Sequence, residues 1–266
     1  MKIYALYFSP TGGTKRVLEL LVSAWDCEKE YIDLSDKNKS LLNLSFSCND
    51  ICVVAVPTFS GRVPQFIIPK LHKLQGKGIK AMLVTTYGNR AFDDSLLELK
   101  DTMESRGFIC NCAVAAVTRH SVLPKYGEGR PDYADVEELK QFSIKCKDIM
   151  EKSSRVVTVP GNRPYRKYIS IPINPRASKQ CTNCGLCYRR CPVGAISSDN
   201  YRMCDTSKCI SCLQCVSVCP KRARRVNPIV LKIAEWKMQK LCSERKENKL
   251  YIVDENNMGE RYELYK

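Results

Sequence analysis

Through the first 155 residues, runs of β-branched and other apolar residues alternate with stretches whose apolar positions recur every three or four residues. The runs at 2–8, 30–34, 51–56, 79–86 and 108–117 read as strands, and the periodic stretches at 14–25, 64–74, 93–106 and 133–152 as helices. Strands that are apolar throughout, with helices between them, predict a parallel sheet buried on both faces. The expected fold class is therefore α/β, a doubly wound five-stranded parallel sheet. Such a sheet takes its ligand outside the carboxyl ends of the strands, where the strand order reverses.

The pattern changes beyond residue 155. Residues 156–179 carry Pro160, Pro164, Pro172 and Pro175 with little helical periodicity, and read as a semi-rigid linker. Residues 180–225 are dense in cysteine, and residues 226–266 form a tail. In that tail Ile229, Ile233, Trp236 and Leu241 have the spacing of one face of an amphipathic helix, expected to pack on one of the domains.

The cysteine segment carries the strongest signal. It contains C-x2-C-x2-C-x3-C-P twice, at Cys181, Cys184, Cys187, Cys191 and at Cys209, Cys212, Cys215, Cys219, with a period of 28 residues. The short spacing lets one tight loop present three sulfurs to a cubane, while the cysteine before proline points to the other cluster. Two [4Fe–4S] clusters are expected, one on Cys181, Cys184, Cys187 and Cys219, the other on Cys209, Cys212, Cys215 and Cys191. Zinc sites draw four ligands from two pairs and have no use for the third cysteine or the C-P step. The other eight cysteines lack such spacing and read as small core residues, Cys204 included.

Charge adds a qualification. The chain carries +15, with +6 on residues 1–170 and +9 on residues 171–266. Eight cluster thiolates offset part of that excess, and the lysines and arginines are scattered without a nucleic-acid motif, so no nucleic-acid partner is expected. There is no apolar run long enough for a membrane span. The first residues enter an apolar strand directly, without a cleavage signal. The expected location is the cytoplasm, where thiols stay reduced.

Three loops follow predicted strands. The first, Ser9-Pro-Thr-Gly-Gly-Thr14, opens a helix. Its glycines allow backbone approach, its hydroxyls donate, and the helix start adds free N–H groups, which suits a phosphate. Without a Walker lysine or G-x-G-x-x-G, the loop favours a mononucleotide over ATP or a nicotinamide dinucleotide. The other two loops hold Thr58, Phe59, Ser60, Gly61 and Tyr87, Gly88, Asn89, and in a doubly wound sheet they converge on the same edge. Phe59 or Tyr87 is suited to stack on a flat ring, and Gly61 and Gly88 to let backbone come close. Of the two histidines, His72 reads as structural and His120 as a loop residue or a contact at the ring's rim.

These loops resemble those of flavodoxins, with Gly13 where many have Asn. The cysteine segment resembles bacterial two-cluster ferredoxins. Gly61-Arg-Val-Pro64, Tyr87-Gly-Asn-Arg-Ala-Phe-Asp-Asp94 and Arg119-His-Ser121, together with the order of the two parts, resemble a flavodoxin–ferredoxin fusion family of anaerobic microbes. The resemblance implies a flavodoxin-like domain and a small α+β two-cluster ferredoxin domain. It also implies FMN held by Ser9, Thr11, Gly12, Gly13 and Thr14, with its ring near 58–61 and 87–89. Typical flavodoxins are acidic, whereas Arg62, Arg90 and Arg119 here would favour an anionic reduced flavin.

The expected function is electron transfer between clusters, flavin and external redox proteins. The alternatives are a flavin-dependent reductase of a small anionic substrate, motivated by Arg62, Arg90, Arg119 and His120, and a cluster-based redox sensor.

Overall fold

The computed structural model describes residues 1–169 and 173–253. Five parallel strands form the centre: β1 (Lys2–Tyr7), β2 (Glu28–Asp33), β3 (Ile51–Pro57), β4 (Lys80–Tyr87) and β5 (Ile109–Val117). Their order is β2-β1-β3-β4-β5, the flavodoxin-like order, which reverses direction between β1 and β3. Strands β3, β4 and β5 are almost wholly buried, so their side chains alternate between two cores rather than between core and water.

On one face Ile3, Val53, Met82 and Val114 meet α1 (Gly13–Leu21) and α4 (Tyr133–Lys152). On the other, Leu6, Val54, Leu83 and Ala113 meet the short α2 (Ile68–Leu71) and α3 (Ser95–Glu104). The helix expected over 64–74 is thus a single four-residue turn, with Pro64 and Pro69 limiting its backbone donors. His72, expected in an apolar helical face, is the exposed residue that ends it. Helix α4 starts at a reciprocal cap: Asp135 N–H donates to Asp132 and Asp132 N–H donates to Asp135.

The sheet has a sixth strand that periodicity did not suggest. Residues of the tail form β8 (Lys249–Ile252), antiparallel to β5, with Ala113 opposite Tyr251. The expected five-stranded parallel sheet is therefore a six-stranded mixed one. Four residues are too few for a pattern to register against background, and β8 exists because β5 offers an unpaired edge.

The proline-rich segment is a strap rather than a spacer. Val157 N–H pairs with the Cys110 carbonyl at 2.7 Å, and Val157, Val159 and Ile173 are buried. Asp94 accepts from the backbone of Asn162 and Arg166, and Asp101 from Arg163 and Tyr165. Pro172 lies outside the described residues.

The cysteine segment folds around β6 (Arg176–Ala177), α5 (Leu186–Arg189), α6 (Gln214–Ser217) and β7 (Arg224–Arg225), with β6 and β7 paired antiparallel. Then α7 (Pro228–Cys242) packs through Leu231, Ala234, Met238 and Cys242 onto Leu123, Tyr126 and Leu213. This reverses the expected orientation: Ile229, Ile233 and Trp236 are exposed, Trp236 at 76%. Both stripes are apolar at helical spacing, so periodicity alone could not choose between them. Among the described residues no helix is long and apolar enough to cross a membrane.

Candidate functional site

After β1 the chain turns through residues 9–12 and starts α1 at Gly13. Gly12 has φ 92°, a left-handed conformation that favours glycine, and no atom lies within 4 Å of where a Cβ would stand. Ser9 Oγ accepts the N–H of Lys15 at 2.9 Å, and Ser9 and Gly12 support the loop without bordering the cavities beside it. The hydroxyls of Thr14 and Thr86 lie 2.7 Å apart and tie the loop to the end of β4. The first N–H groups of α1 have no intrahelical acceptor, and the positive end of the helix dipole lies there. Beside them is a cavity of about 60 Å³ whose wall includes Thr11, Gly13, Thr14, Thr118 and Arg119 and no carboxylate.

This cavity continues into one of about 340 Å³; Thr58, Phe59, Tyr87, Gly88, His120 and Ser121 border both. The loops after β1, β3, β4 and β5 thus meet at the carboxyl edge, as the strand order requires. The far wall of the larger cavity comes from elsewhere in the chain: Tyr168 of the strap, Ile210 and Ser211 of the cysteine segment, and Met238 and Leu241 of α7. Arg90 and Arg166 also border it and share one carboxylate, Asp93, which leaves that wall with an excess of positive charge.

His120 Nδ1 accepts the N–H groups of Val122 at 3.1 Å and Leu123 at 3.2 Å. The neutral ring must then carry its proton on Nε2. Burial, helped by the Arg90 guanidinium, pulls its pKa down to about 4, so the ring is a neutral donor at ordinary pH.

Several expected contacts are spent inside the protein. Asn89, expected at the cofactor, lines neither cavity. Its amide donates to the carbonyls of Cys242 and Glu244 and accepts from Lys246 N–H, so it holds the segment that leads into β8. The Tyr87 hydroxyl donates to the Glu247 carbonyl at 2.7 Å, although its ring remains in the cavity wall. Ser60 Oγ donates to the Ile169 carbonyl at 2.5 Å. Thr58 Oγ1 lies 2.9 Å from Thr85 Oγ1 and 2.8 Å from Ser95 Oγ, which orients this threonine. Gly61 (φ 77°) makes room for Asp93 and Arg166, and Gly88 for the His120 ring; neither clearance is for a ligand. Arg62 is likewise turned away, in a bidentate pair with the buried Glu98. Phe59, edge-on to Phe8 at 6.1 Å, does border both cavities.

Sequence reasoning missed Thr118, Arg166, Tyr168, Ile210 and Met238, and named Ser121 only within a motif and Leu241 only as part of the tail helix. Thr118 and Ser121 flank the singled-out Arg119 and His120, and the end of β5 was signal enough to include them. The others come from distant segments, where no local pattern could have marked them.

Cys181, Cys184 and Cys187 of the first motif and Cys219 of the second border one cavity beside α5. Cys191 and Cys209 both lie near enough to Cys212 and Cys215 to disfavour their thiolates by like charge. Cys191 Sγ accepts the N–H of Ala195 at 3.2 Å. Left-handed residues stand at matching places in both loops, Asn183 and Gly185 in one, Ser211 and Leu213 in the other. Those turns give the two loops matching backbone paths, although Cys184 is exposed while Cys212 is buried. Burial pushes Cys212 up to about 12 and Cys215 up to about 11. Such thiols must release their protons to ligate a metal centre. Among the described residues no three Cys, His, Asp or Glu side chains are gathered around a single-ion position. The donor set fits iron–sulfur clusters. Cys204 lies outside the repeated spacing, and its thiol donates to the Asp205 carbonyl at 3.9 Å.

Fold and site together define an iron–sulfur electron-transfer protein, with a ferredoxin-type segment behind a flavodoxin-like domain. The 4Fe-4S dicluster domain family matches residues 180–223. Ferredoxin-2 of Chlorobaculum tepidum is 38% identical over 52 residues, which cover 17% of this chain and 84% of that protein. The chain belongs to the ferredoxin family through this segment, in the flavodoxin–ferredoxin fusion architecture. Its other part is similar to solved flavodoxins. The flavodoxin of Streptococcus pneumonia TIGR4 is 16% identical over 56% of this chain and 99% of its own, with a TM-score of 0.41. Oxidised flavodoxin 1 of Bacillus cereus is 17% identical over 56% and 98%, with a TM-score of 0.42.

Proposed function

We propose that this chain passes electrons between two [4Fe–4S] clusters and a bound FMN, and on to separate redox proteins. When bound, clusters supply one-electron chemistry and a flavin joins one- and two-electron steps. Cys181, Cys184, Cys187 and Cys219 would hold one cluster, and Cys191, Cys209, Cys212 and Cys215 the other. Ser9, Thr11, Gly12, Gly13 and Thr14 would hold the FMN phosphate, with the ring against Phe59 and Tyr87.

The observation that carries this reading is the larger cavity. Phe59 and Tyr87 border it on one side, and Ile210 and Ser211, which lie between Cys209 and Cys212, on the other. A flat ring in that space would be separated from the second quartet only by its own loop. The fit is also chemical, since the smaller cavity has hydroxyls, the open helix start and Arg119 but no carboxylate. His120 would offer Nε2–H to the ring or its substituents.

The test is anaerobic purification with iron and flavin counted on the same sample. About eight irons and about one FMN per chain are expected. Clusters without FMN, even after reconstitution, would remove the flavin half. Colourless, iron-free protein would remove the whole reading.

A second reading, a reductase of a small anionic substrate, is favoured by Arg90 and Arg166 sharing Asp93 beside the same cavity. Turnover of small carboxylic acids by the reduced protein supports it, and none supports the carrier.

A further inference from the structure

The 28-residue repeat continues past the last cysteine of each motif. Cys191-Pro-Val-Gly-Ala-Ile196 aligns with Cys219-Pro-Lys-Arg-Ala-Arg224. Both final residues are buried, Ile196 at 2% exposed and Arg224 at 1%. One repeat therefore places a hydrocarbon in the interior of the segment, and the other places a guanidinium there.

Buried Arg130 has its charge met by Asp135, and half-buried Arg62 has its charge met by Glu98. Among the described residues Arg224 has no such carboxylate. Its Nη1 donates to the carbonyls of Tyr201 at 3.0 Å and Arg202 at 3.3 Å, and its Nη2 to that of Met203 at 2.9 Å. Its Nε–H is buried and has no partner. Neutral carbonyls satisfy donors but do not neutralise a charge. A buried, unpaired cation is strongly unfavourable, so an anion is required nearby.

What surrounds Arg224 is sulfur. It borders the cavity of Cys181, Cys184, Cys187 and Cys219. Its positive charge also favours the thiolate forms of Cys215 and Cys209 of the second quartet. A cubane with four thiolates is anionic, and becomes more so on reduction. A fixed positive charge in a poorly polarisable interior stabilises the reduced form, as does an N–H directed at sulfur.

We propose that Arg224 is the shared counter-charge of the two clusters, raising their reduction potentials. This rests on the reading that both quartets hold [4Fe–4S] clusters. Because Ile196 stands in the corresponding place, the two clusters are electrostatically unequal despite their matched loops.

The experiment is a redox titration of the full chain followed by electron paramagnetic resonance, with iron counted on every sample. Arg224→Gln keeps hydrogen-bonding capacity without charge, Arg224→Lys keeps the charge, and Arg224→Ile copies the first repeat. With iron at the wild-type level, Arg224→Gln should make at least one cluster tenfold harder to reduce, a drop of about 59 mV for a one-electron couple. Arg224→Lys should retain most of the wild-type potential. A residue that merely pegs the carbonyls of 201–203 predicts similar behaviour for Gln and Lys, and unchanged potentials in Arg224→Gln overturn the proposal. If Arg224→Ile fails to assemble, the Gln and Lys pair still decides. Wild-type protein without about eight irons refutes the cluster reading instead, a separately visible result.

Discussion

The hydroxyl of Ser217 donates to the carbonyl of Pro10 at 2.8 Å. Ser217 lies two residues after Cys215, and Pro10 lies in the loop that opens α1, so α6 rests directly on the candidate phosphate loop. Gln214 Nε2, one turn earlier, reaches Ser35 Oγ after β2 at 3.4 Å. Ser217→Ala should lower the free energy of unfolding by about 1 kcal/mol in a urea titration, with iron content unchanged. A loss of iron in that variant would mean the contact supports the cluster loop rather than the junction.

Crossed ligation has a distinctive genetic signature. Cys219→Ser should remove the same paramagnetic centre as Cys184→Ser, although the two residues lie in different motifs. Cys191→Ser should remove the same centre as Cys212→Ser. Each variant should keep about half the iron. If Cys219→Ser matched Cys212→Ser instead, each motif would be holding its own cluster.

His120 gives a pH dependence with a definite sign. Its folded pKa is depressed to about 4, mainly by burial, while an unfolded histidine titrates near 6.5. Between those values the unfolded chain binds more protons than the native one. Stability should therefore fall as pH drops from about 6.5 toward 4, by up to about 3 kcal/mol at the lower end. His120→Gln, which cannot titrate, should show a shallower acid slope than wild type in paired denaturation curves at pH 7 and 5. Equal slopes would show that the ring does not titrate differently on folding.

The tail is held by a buried polar knot. Arg130 pairs with Asp135 and donates to the Lys246 carbonyl, while Arg245 and Asn248 also converge on Asp135. Asp135→Ala leaves Arg130 buried without its partner and should cost about 3–5 kcal/mol by denaturant titration. Asn89→Ala cuts the bonds to 242–246 at a smaller cost, about 1–3 kcal/mol. In both variants amide exchange should accelerate first in β8. Uniform acceleration across the sheet would argue that the tail is not a separable unit.

Local chemistry made much of the molecule readable in advance. The long apolar strands and the Gly12–Gly13 helix start each depend on a few adjacent residues, and each begins within a residue or two of its expected place. Asn89 and Ser60 show where that reasoning stops. Both lie in loops correctly assigned to the carboxyl edge, yet their side chains bond to the tail and the strap, segments that sequence alone cannot bring beside them.

By itself, then, the sequence determined the five parallel strands, the glycine-opened start of α1 and the ferredoxin-type spacing of the eight cysteines, because hydrophobic period, backbone freedom at glycine and ligand spacing act over a few residues. Tertiary structure decided that β8 caps the sheet, which face of α7 is buried, and that Ile210 and Ser211 share a cavity with Phe59 and Tyr87. Those outcomes depend on which distant surfaces are left uncovered once the local elements have formed. An uncovered strand edge or apolar face has no signature in the segment that comes to cover it.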